Sequence, residues 1–446
     1  MAARPRPSLE AYAQRRARVA HTLREQSAAL ILYGGALATR ANDTEFRFRP
    51  DSDFHYLTGL EEPGAVLVLR PTPDSADGID FTMFVRPRDR EAEVWSGRRI
   101  GPLGAVERFG ASEAFDLDEL DERLPKLIDG CETVYLPLGR WPELDTALLR
   151  AVAKLRRRNR EGATPPFRYG EVADLLGEER LIKDPAALDS LRHAIDISAA
   201  GHVAAMRRTR PGMWEYEVEA LIEYEFRRRG SSGPGYGSIV GGGDNATILH
   251  YVDNRDRLRD GDILLIDAGA EWDYFSGDIT RSWPVNGRFR PEQRAVYEVV
   301  LAANLAGIRQ AVVGSSIDVI HEACVDVLCE GIADLGLLQG PPARIREEKL
   351  YRKFYMHRTS HWLGVDVHDV GRYTLGGNPR PLAPGCVLTI EPGLYIAADS
   401  EDVPDGFRGI GVRIEDDVLI GAEGPEVLTA AVPKSIAELE AIIGVV

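Results

Sequence analysis

A degenerate internal repeat in the second half of the chain constrains the fold more than any other feature of the sequence. Each copy predicts, in order, a long helix, a second helix, a histidine, a strand that ends in a carboxylate, and a returning segment with another carboxylate. In the first copy these are 184–208, 215–229, His250, 263–267 and Asp278. In the second copy they are 291–313, 317–335, His361, 387–391 and Glu415.

The repetition predicts that the two copies pack as sheets backed by helices around a pseudo-twofold axis. Such packing turns the strand ends of one copy toward those of the other. Asp267 and Asp278 would then face Glu391 and Glu415. We therefore expect four acidic side chains to meet in one place.

The sequence before the repeat alternates helix and strand, which is typical of a mixed α/β domain. The predicted helices are 8–26 and 117–128, and the predicted strands are 28–33, 65–69, 81–85 and 134–136. Gly162 and the pair Pro165-Pro166 then interrupt regular structure. We predict an α/β domain over residues 1–175 and an α+β domain with the internal repeat over residues 176–446.

Composition and charge exclude several classes of protein. With 44% hydrophobic and 28% charged residues, the chain of 446 residues is globular rather than disordered. Its formal net charge of −16 argues against nucleic acid or an anionic membrane surface as a partner. The four cysteines include no CxxC pair, which favours a reducing compartment. We expect a cytoplasmic protein with neither a signal peptide nor a membrane span.

The acidic residues of the repeat predict a cation site. A lone aspartate at a strand end, such as Asp267, is more often a turn residue, and Glu415 followed by two aspartates reads by itself as an exposed acid. Four matching acids in two copies favour ligands instead. Asp278 follows Asp267 by eleven residues, enough for a hairpin that sets both acids on one face. Adjacent carboxylates repel each other and need a cation between them.

Three histidines strengthen this prediction. His357, His361 and His368 fall within twelve residues between a helix and a strand. Four carboxylates with one imidazole suit Mn²⁺, Co²⁺, Fe²⁺ or, as a second choice, Zn²⁺. Two such ions would share bridging carboxylates and a bridging hydroxide, as in two-metal hydrolysis. The pattern therefore predicts a hydrolase.

These residues in their local settings resemble the metal-ligand signature of the pita-bread metallopeptidases. The similarity is closest to the bacterial aminopeptidase P group, the Xaa-Pro aminopeptidases. It extends from about Arg40 to the C-terminus. Further matching segments are 52–54, Tyr56, 58–59, 92–95, 361–364 and 409–411.

The resemblance implies an enzyme that releases the N-terminal residue from peptides with proline in the second position. It implies two divalent ions per chain, with Mn²⁺ as the first choice. Asp267 would bind one ion, while Asp278 and Glu415 would bridge both. His361 and Glu391 would hold the other ion, and Glu391 would accept the proton of the attacking water.

The resemblance also implies residues around the substrate. His250 and His368 would surround the scissile carbonyl and the departing proline, with His357 nearby. Tyr395 and Arg413 would support the ligands, and Arg413 lies two residues before Glu415 on one strand face. Two positions of the N-terminal domain would reach toward the substrate, one of them from a neighbouring subunit of a homodimer or homotetramer. They are Arg160 and, from that neighbour, Trp95.

One segment departs from the bacterial pattern. The family carries an arginine shortly after the third histidine, where this chain has Gly377-Asn378. Arg372 or Arg380 could substitute for that arginine. Recognition of longer peptides therefore stays open at this point.

Four other readings compete with an Xaa-Pro aminopeptidase. A prolidase uses the same five ligands but cleaves Xaa-Pro dipeptides only. Methionine aminopeptidases usually lack a large first domain, and creatine-hydrolysing relatives lack the metal ligands. A non-catalytic binding protein on the same scaffold would have lost ligands, whereas all five are present here.

Overall fold

The computed structural model describes residues 7–72 and 78–444. These residues form two compact units, one over Pro7–Glu179 and one that begins at Arg180. Within the described ranges, no helix has the length and apolar character that a membrane crossing requires.

The N-terminal unit is a mixed sheet with helices, as the alternation of the sequence predicts. Its strands are β1 (Ala28–Tyr33), β2 (Thr39–Ala41), β3 (Thr44–Glu45), β4 (Val66–Pro71), β5 (Ile79–Val85), β6 (Glu113–Asp116), β7 (Thr133–Tyr135) and β8 (Arg168–Gly170). Its helices are α1 (Leu9–Glu25), α2 (Ser52–Thr58), α3 (Arg90–Ser96), α4 (Gly101–Phe109), α5 (Leu120–Ile128) and α6 (Pro142–Arg157), followed by α7 (Val172–Leu181), which runs past the end of the unit.

Six of these strands form one sheet in the order β6-β5-β4-β1-β7-β8. Strand β1 lies inside it because its run of apolar residues is buried on both faces. It pairs antiparallel with β4 and parallel with β7. The side chain of Ser8 caps helix α1 by accepting the N–H of Ala11, which explains why the helix begins where the polar pattern starts.

The second unit contains the repeat. Its helices are α8 (Pro185–Arg208), α9 (Glu215–Arg228), α10 (Pro291–Gln310), α11 (Ile317–Asp334), α12 (Pro342–Glu347) and α13 (Ile436–Ile442). Its strands are β9 (Gly233–Pro234), β10 (Ile239–Gly242), β11 (Ile263–Asp267), β12 (Ala270–Trp272), β13 (Phe275–Ser276), β14 (Thr280–Pro284), β15 (Thr374–Leu375), β16 (Asn378–Pro379), β17 (Val387–Ile390), β18 (Gly393–Ile396), β19 (Ile410–Arg413), β20 (Asp416–Ile420) and β21 (Pro425–Val427).

Each copy of the repeat is a helix pair followed by two nested hairpins. In the first copy β11 pairs with β14 and, between them in sequence, β12 pairs with β13. In the second copy β17 pairs with β20 and, between them, β18 pairs with β19. The predicted repeat is therefore confirmed. Helix α10 ends three residues before the predicted residue 313, because Ala311 leaves the helical conformation and caps the helix.

Each pair of nested hairpins has a break where the outer ladder stops and the inner one has not begun. Asp267 ends β11 and Asp278 lies between β13 and β14, so both flank the first break. Glu391 and Glu415 lie in the second break, between β17 and β18 and between β19 and β20. A break frees the backbone from the sheet alternation and lets these side chains turn out of the sheet plane.

Gly269 lies in the first break, where the opposite arm of the hairpin leaves no room for a side chain. A Cβ atom at this position would lie 1.7 Å from the carbonyl oxygen of Gly277. We therefore expect Gly269→Ala to force the arms apart and to lower the free energy of unfolding by about 1–3 kcal/mol. Urea unfolding followed by circular dichroism measures this loss.

Gly237→Ala is the matched control, because its added Cβ would meet only the Val252 side chain, at an ordinary 3.4 Å. Equal losses in the two variants would contradict the close approach described for Gly269.

Candidate functional site

The five side chains predicted to be ligands line one cavity of the second unit, with a volume of about 980 Å³. They come from both copies of the repeat and from the loop before β15. They are Asp267, Asp278, His361, Glu391 and Glu415. The pseudo-symmetric arrangement of the nested hairpins brings them together across more than a hundred residues of sequence.

Ligand atoms of several of these side chains lie within 4.8 Å of one another. His361 Nε2 lies 3.3 Å from Asp278 Oδ2 and 3.8 Å from Glu391 Oε1. Asp278, His361 and Glu415 each offer one ligand atom, and these three atoms lie within 4.8 Å of one another. The arrangement can hold a metal ion by the nitrogen and oxygen donors that first-row divalent metals accept.

A tyrosine that the sequence interpretation missed links the two aspartates. The Tyr236 hydroxyl oxygen lies 2.6 Å from Asp267 Oδ1 and 2.6 Å from Asp278 Oδ1. Its pKa is raised well above the ordinary value by burial and by the nearby carboxylates. Tyr236 therefore stays a neutral donor beside two acids. Its signal in the sequence is weak, because it stands in a Ser/Gly-rich loop without helical or strand periodicity.

Burial and mutual repulsion favour protons on these acids when no cation is near. Burial raises the pKa of Glu391 to about 7, although His361 and Arg413 oppose the shift. Burial and the charges of neighbouring acids raise the pKa of Asp278 as well, and that of Glu415 well above its ordinary value. A divalent cation would remove this penalty, so the donor set fits a metal.

His361 is oriented for such a role. Its Nδ1 lies 3.0 Å from the carbonyl oxygen of Trp362, which leaves Nε2 facing the carboxylates. Burial by itself would lower the pKa of His361. The hydrogen bond with Asp278 and the charges of Asp278 and Glu391 outweigh burial and raise the pKa to about 9.

Arg413 is buried behind the acids and binds the first copy of the repeat. Its Nη2 donates to Asp267 Oδ2 at 2.7 Å, and its Nε donates to Thr280 Oγ1 at 3.1 Å. Thr280 in turn donates to Glu415 Oε2 at 2.6 Å. Arg413 therefore contacts one predicted acidic ligand, Asp267, directly and reaches Glu415 through Thr280. Strand β19 ends at Arg413, so strand alternation does not continue to Glu415.

His357 and Tyr395 form a chain of hydrogen bonds with Arg413. Arg413 Nη1 donates to the Tyr395 hydroxyl at 3.1 Å, and that hydroxyl lies 2.8 Å from His357 Nε2. His357 Nδ1 lies 2.7 Å from the carbonyl oxygen of Arg358. Burial, followed by the Arg413 charge, lowers the pKa of His357 to about 3. His357 is therefore neutral near pH 7 and accepts the Tyr395 proton at Nε2.

His250 and His368 lie on the wall of the same cavity with exposed side chains. The ring of His368 makes an edge contact with the ring of His361, with centroids 4.3 Å apart. Burial and the His361 charge lower the pKa of His368. Both histidines can meet a ligand in the cavity without displacing an acid.

Buried ionic contacts fix the segments that carry these two histidines. Beside His368, the Asp369 carboxylate accepts from Arg180 at 2.5 Å and from Lys183 at 2.8 Å. On the His250 side, Glu215 accepts from Tyr251, from Asn245 and from the backbone N–H groups of Gly242 and Asp256. The sequence interpretation did not include these supports, because their partners are distant along the chain.

The remaining predicted residues lie in the N-terminal unit or beside the hairpin of β15 and β16. Trp95, on α3, and Arg160, in the short turn Asn159–Glu161, belong to the N-terminal unit, and the Trp95 side chain is 90% exposed. Arg372 and Arg380 flank the hairpin of β15 and β16, from which Thr374 and Pro379 line the cavity.

Two sequence families match the chain. Metallopeptidase family M24 matches residues 189–422, and the aminopeptidase P N-terminal domain matches residues 12–135. The Xaa-Pro aminopeptidase of Escherichia coli (strain K12) is 42% identical over 436 residues, which are 98% of this chain and 98% of that relative. Xaa-Pro aminopeptidase 3 of Homo sapiens is 33% identical over 410 residues, which are 90% of this chain and 78% of the human protein.

Solved structures agree with these sequence matches. The Pseudomonas aeruginosa aminopeptidase PepP is similar with a TM-score of 0.94 and 46% identity, over 98% of both chains. Aminopeptidase P from E. coli with the inhibitor Pro-Leu has a TM-score of 0.93 and 40% identity, again over 98% of both chains. A zinc-substituted form of the E. coli enzyme in complex with product has a TM-score of 0.94 and 41% identity over 98% of both chains.

The raised pKa of His361 predicts how pH affects the metal-free protein. A histidine with a folded-state pKa of about 9 stabilises the fold fully below its ordinary pKa of about 6.5. This stabilisation is lost as the pH rises through 9, and the buried acids act in the same direction. Chelator-treated protein should therefore lose about 2 kcal/mol of unfolding free energy between pH 7 and pH 9.

Urea unfolding at pH 7, 8 and 9, with chelator or with excess Mn²⁺, measures this effect. Bound Mn²⁺ would remove the decline, since the imidazole would then be an unprotonated ligand at each pH. The same decline with and without Mn²⁺ would contradict the assignment of His361 to the cation site.

Proposed function

The chain belongs to metallopeptidase family M24, and we propose that it is a metal-dependent aminopeptidase that releases the N-terminal residue from peptides with proline in the second position. The observation that carries this proposal is the cavity in which four buried or half-buried carboxylates and His361 converge. We propose residues 1–175 as its N-terminal domain and residues 176–446 as its catalytic domain.

The same donor set supports a proposal for two divalent ions per chain. Asp267 would bind one ion, Asp278 and Glu415 would bind both, and His361 and Glu391 would bind the other. When bound, the ions supply Lewis-acid polarisation of the scissile carbonyl and a water of lowered pKa. Mn²⁺ is our first choice by ligand hardness, and Co²⁺, Fe²⁺ and Zn²⁺ remain alternatives.

Glu391 is the proposed proton acceptor. Its carboxylate lies in the cavity, with Oε2 at 3.6 Å from His357 Nδ1 and Oε1 at 3.8 Å from His361 Nε2. A carboxylate at this position can take the proton of an attacking water and pass it to the leaving nitrogen. Arg413 holds the proposed ligand Asp267 in place through a charge-assisted hydrogen bond.

His250 and His368 are the proposed contacts for the substrate carbonyl and the departing proline. Their exposed side chains on the cavity wall support this role. Tyr395 and His357 would extend the polar wall, since the Tyr395 hydroxyl lies between Arg413 and His357. The substrate amine is a cation, and the acidic cavity would attract and orient it.

Two exposed residues of the N-terminal domain are further proposed substrate contacts. The exposed Trp95 would reach the substrate of a neighbouring subunit in a homodimer or homotetramer. Arg160, also exposed, would approach the substrate from its own domain. A cytoplasmic location stays a prediction from cysteine usage.

The proposed activity is tested with an Xaa-Pro dipeptide and an Xaa-Pro-Yaa tripeptide in parallel. Chelator-stripped protein refilled with Mn²⁺ should release the first residue of the tripeptide, and the stripped protein should not. A tripeptide with alanine in place of proline is the control for specificity. Cleavage of the dipeptide alone would make the protein a prolidase, and cleavage of neither would favour a non-catalytic binding protein.

Two substitutions separate ligands from substrate contacts. Asp278→Asn should reduce bound Mn²⁺ and abolish activity while leaving the fold largely intact, because it removes a proposed shared ligand. His368→Ala should lower kcat by about 100-fold, the usual cost of losing a hydrogen-bond donor to the reacting carbonyl, with metal content unchanged.

Metal analysis by mass spectrometry, peptide kinetics and circular dichroism measure these effects. Full activity of Asp278→Asn would contradict the shared-ligand assignment. Loss of metal in His368→Ala would mean that His368 is itself a ligand.

A further inference from the structure

The breaks between the nested hairpins leave backbone groups outside the sheet ladders. Two hydrogen bonds cross the first break, from Ala268 N–H to the Ile279 carbonyl and from Gly277 N–H to the Ala270 carbonyl. In the second copy Ile414 N–H donates to the Pro392 carbonyl. Other buried peptide groups at the breaks need partners from elsewhere, because an unpaired buried peptide group is costly.

The long helix of each copy supplies some of these partners. In the first copy, Ser198 of α8 accepts the N–H of Ala270 at 2.8 Å, and His202 Nε2 lies 2.9 Å from the carbonyl oxygen of Ala268. In the second copy the partner is Asn304 of α10. The side chains of all three helix residues are buried, and each is a polar residue on a helix face that packs against the hairpins.

Asn304 contacts both strands that carry the glutamates. Its Nδ2 donates to the carbonyl of Ile390 at 3.0 Å and to the carbonyl of Ile414 at 3.3 Å. These are the residues directly before Glu391 and Glu415. One amide group therefore ties together the two peptide groups from which both glutamate side chains extend.

A lysine fixes the orientation of this amide. Lys434 Nζ donates to Asn304 Oδ1 at 2.9 Å and to Asp416 Oδ2 at 2.6 Å. A lysine offers donors only, so the Asn304 oxygen must face it and the NH₂ group must face the two carbonyls. Asp416 is held in turn by Arg281 Nη2 at 2.8 Å. The Asn304 amide is thus held by a chain of hydrogen bonds through Lys434 and Asp416.

We propose that Asn304 is a positioning residue for metal binding, which sets the separation of Glu391 and Glu415 through the carbonyls of Ile390 and Ile414. Without its two donated hydrogen bonds, the amide would no longer tie the carbonyls of Ile390 and Ile414 to each other, and the strands could move apart. The separation of the glutamates would then no longer match a cation site. The proposal rests on the proposed function only in that these glutamates bind metal.

The test compares Asn304→Leu with Gln293→Leu. Gln293 is a matched control because it is a buried amide on the same helix, donates to the Gly261 carbonyl at 2.7 Å and accepts from Arg290 N–H at 3.0 Å, at the other end of the helix from Asn304. Chelator-stripped proteins are titrated with Mn²⁺ by calorimetry, and thermal unfolding and Xaa-Pro-Yaa hydrolysis are recorded on the same samples.

We expect Asn304→Leu to weaken Mn²⁺ binding by about 10- to 100-fold, the usual effect of losing a support of metal ligands. Gln293→Leu should lower the unfolding temperature comparably but leave Mn²⁺ affinity unchanged. Asn304→Ser, which removes both donations with a smaller change of volume and polarity, is read in place of Asn304→Leu if that variant does not fold. Unchanged Mn²⁺ affinity in the folded Asn304 variant, or equal weakening in Gln293→Leu, would overturn the proposal.

The wild-type measurements separate this proposal from the proposed activity. Wild-type protein that binds Mn²⁺ but cleaves no Xaa-Pro peptide would refute the activity, and the role of Asn304 would still be read from the affinities. Wild-type protein that binds none of Mn²⁺, Co²⁺, Fe²⁺ and Zn²⁺ would refute both.

Discussion

The repulsion between carboxylates that share one buried place is the constraint on which the rest of this unit depends. Asp267, Asp278, Glu391 and Glu415 cannot all be ionised there without a positive partner. The surrounding groups each offset part of the repulsion. Arg413 binds Asp267, Tyr236 lies between the aspartates, and His361 takes a proton beside Asp278. Burial and the repulsion that remains raise the pKa values of Asp278, Glu391 and Glu415, and a cation is the partner that offsets both.

The three consecutive acids Glu415, Asp416 and Asp417 lie in different electrostatic environments. All three side chains are buried, although three consecutive acids in a sequence usually indicate a solvated surface. Arg281 and Lys434 outweigh the burial of Asp416 and hold its pKa below the ordinary value. Burial raises the pKa of Glu415 and of Asp417 well above theirs. Adjacent residues thus have opposite environments: Asp416 is paired with two cations, whereas Glu415 lines the cavity.

Periodicity and repetition predicted much of this architecture. The strand over Ala28–Tyr33 and the hairpin from Ile263 to Pro284 follow from short apolar runs, and the matching order of elements in the two copies predicted that their acids would converge. Other features could not be predicted this way. Tyr236 and Asn304 act through contacts with residues far away in sequence, and no local pattern distinguishes them from other loop or helix residues. The sequence could not show which acid Arg413 contacts, because β19 ends at Arg413 and strand ends are the least predictable part of a strand.

The distribution of the acids over both copies determines when the site can exist during synthesis. Asp267 and Asp278 leave the ribosome well before Glu391 and Glu415, and Lys434, which anchors the second pair from behind, comes later still. The first copy alone carries only half of the acidic donors. A nascent chain therefore has no complete cluster until nearly all of it has been translated and the two copies have docked. Metal binding by the whole cluster must follow synthesis of the second copy, and a chain that is terminated before Glu415 cannot form the cluster.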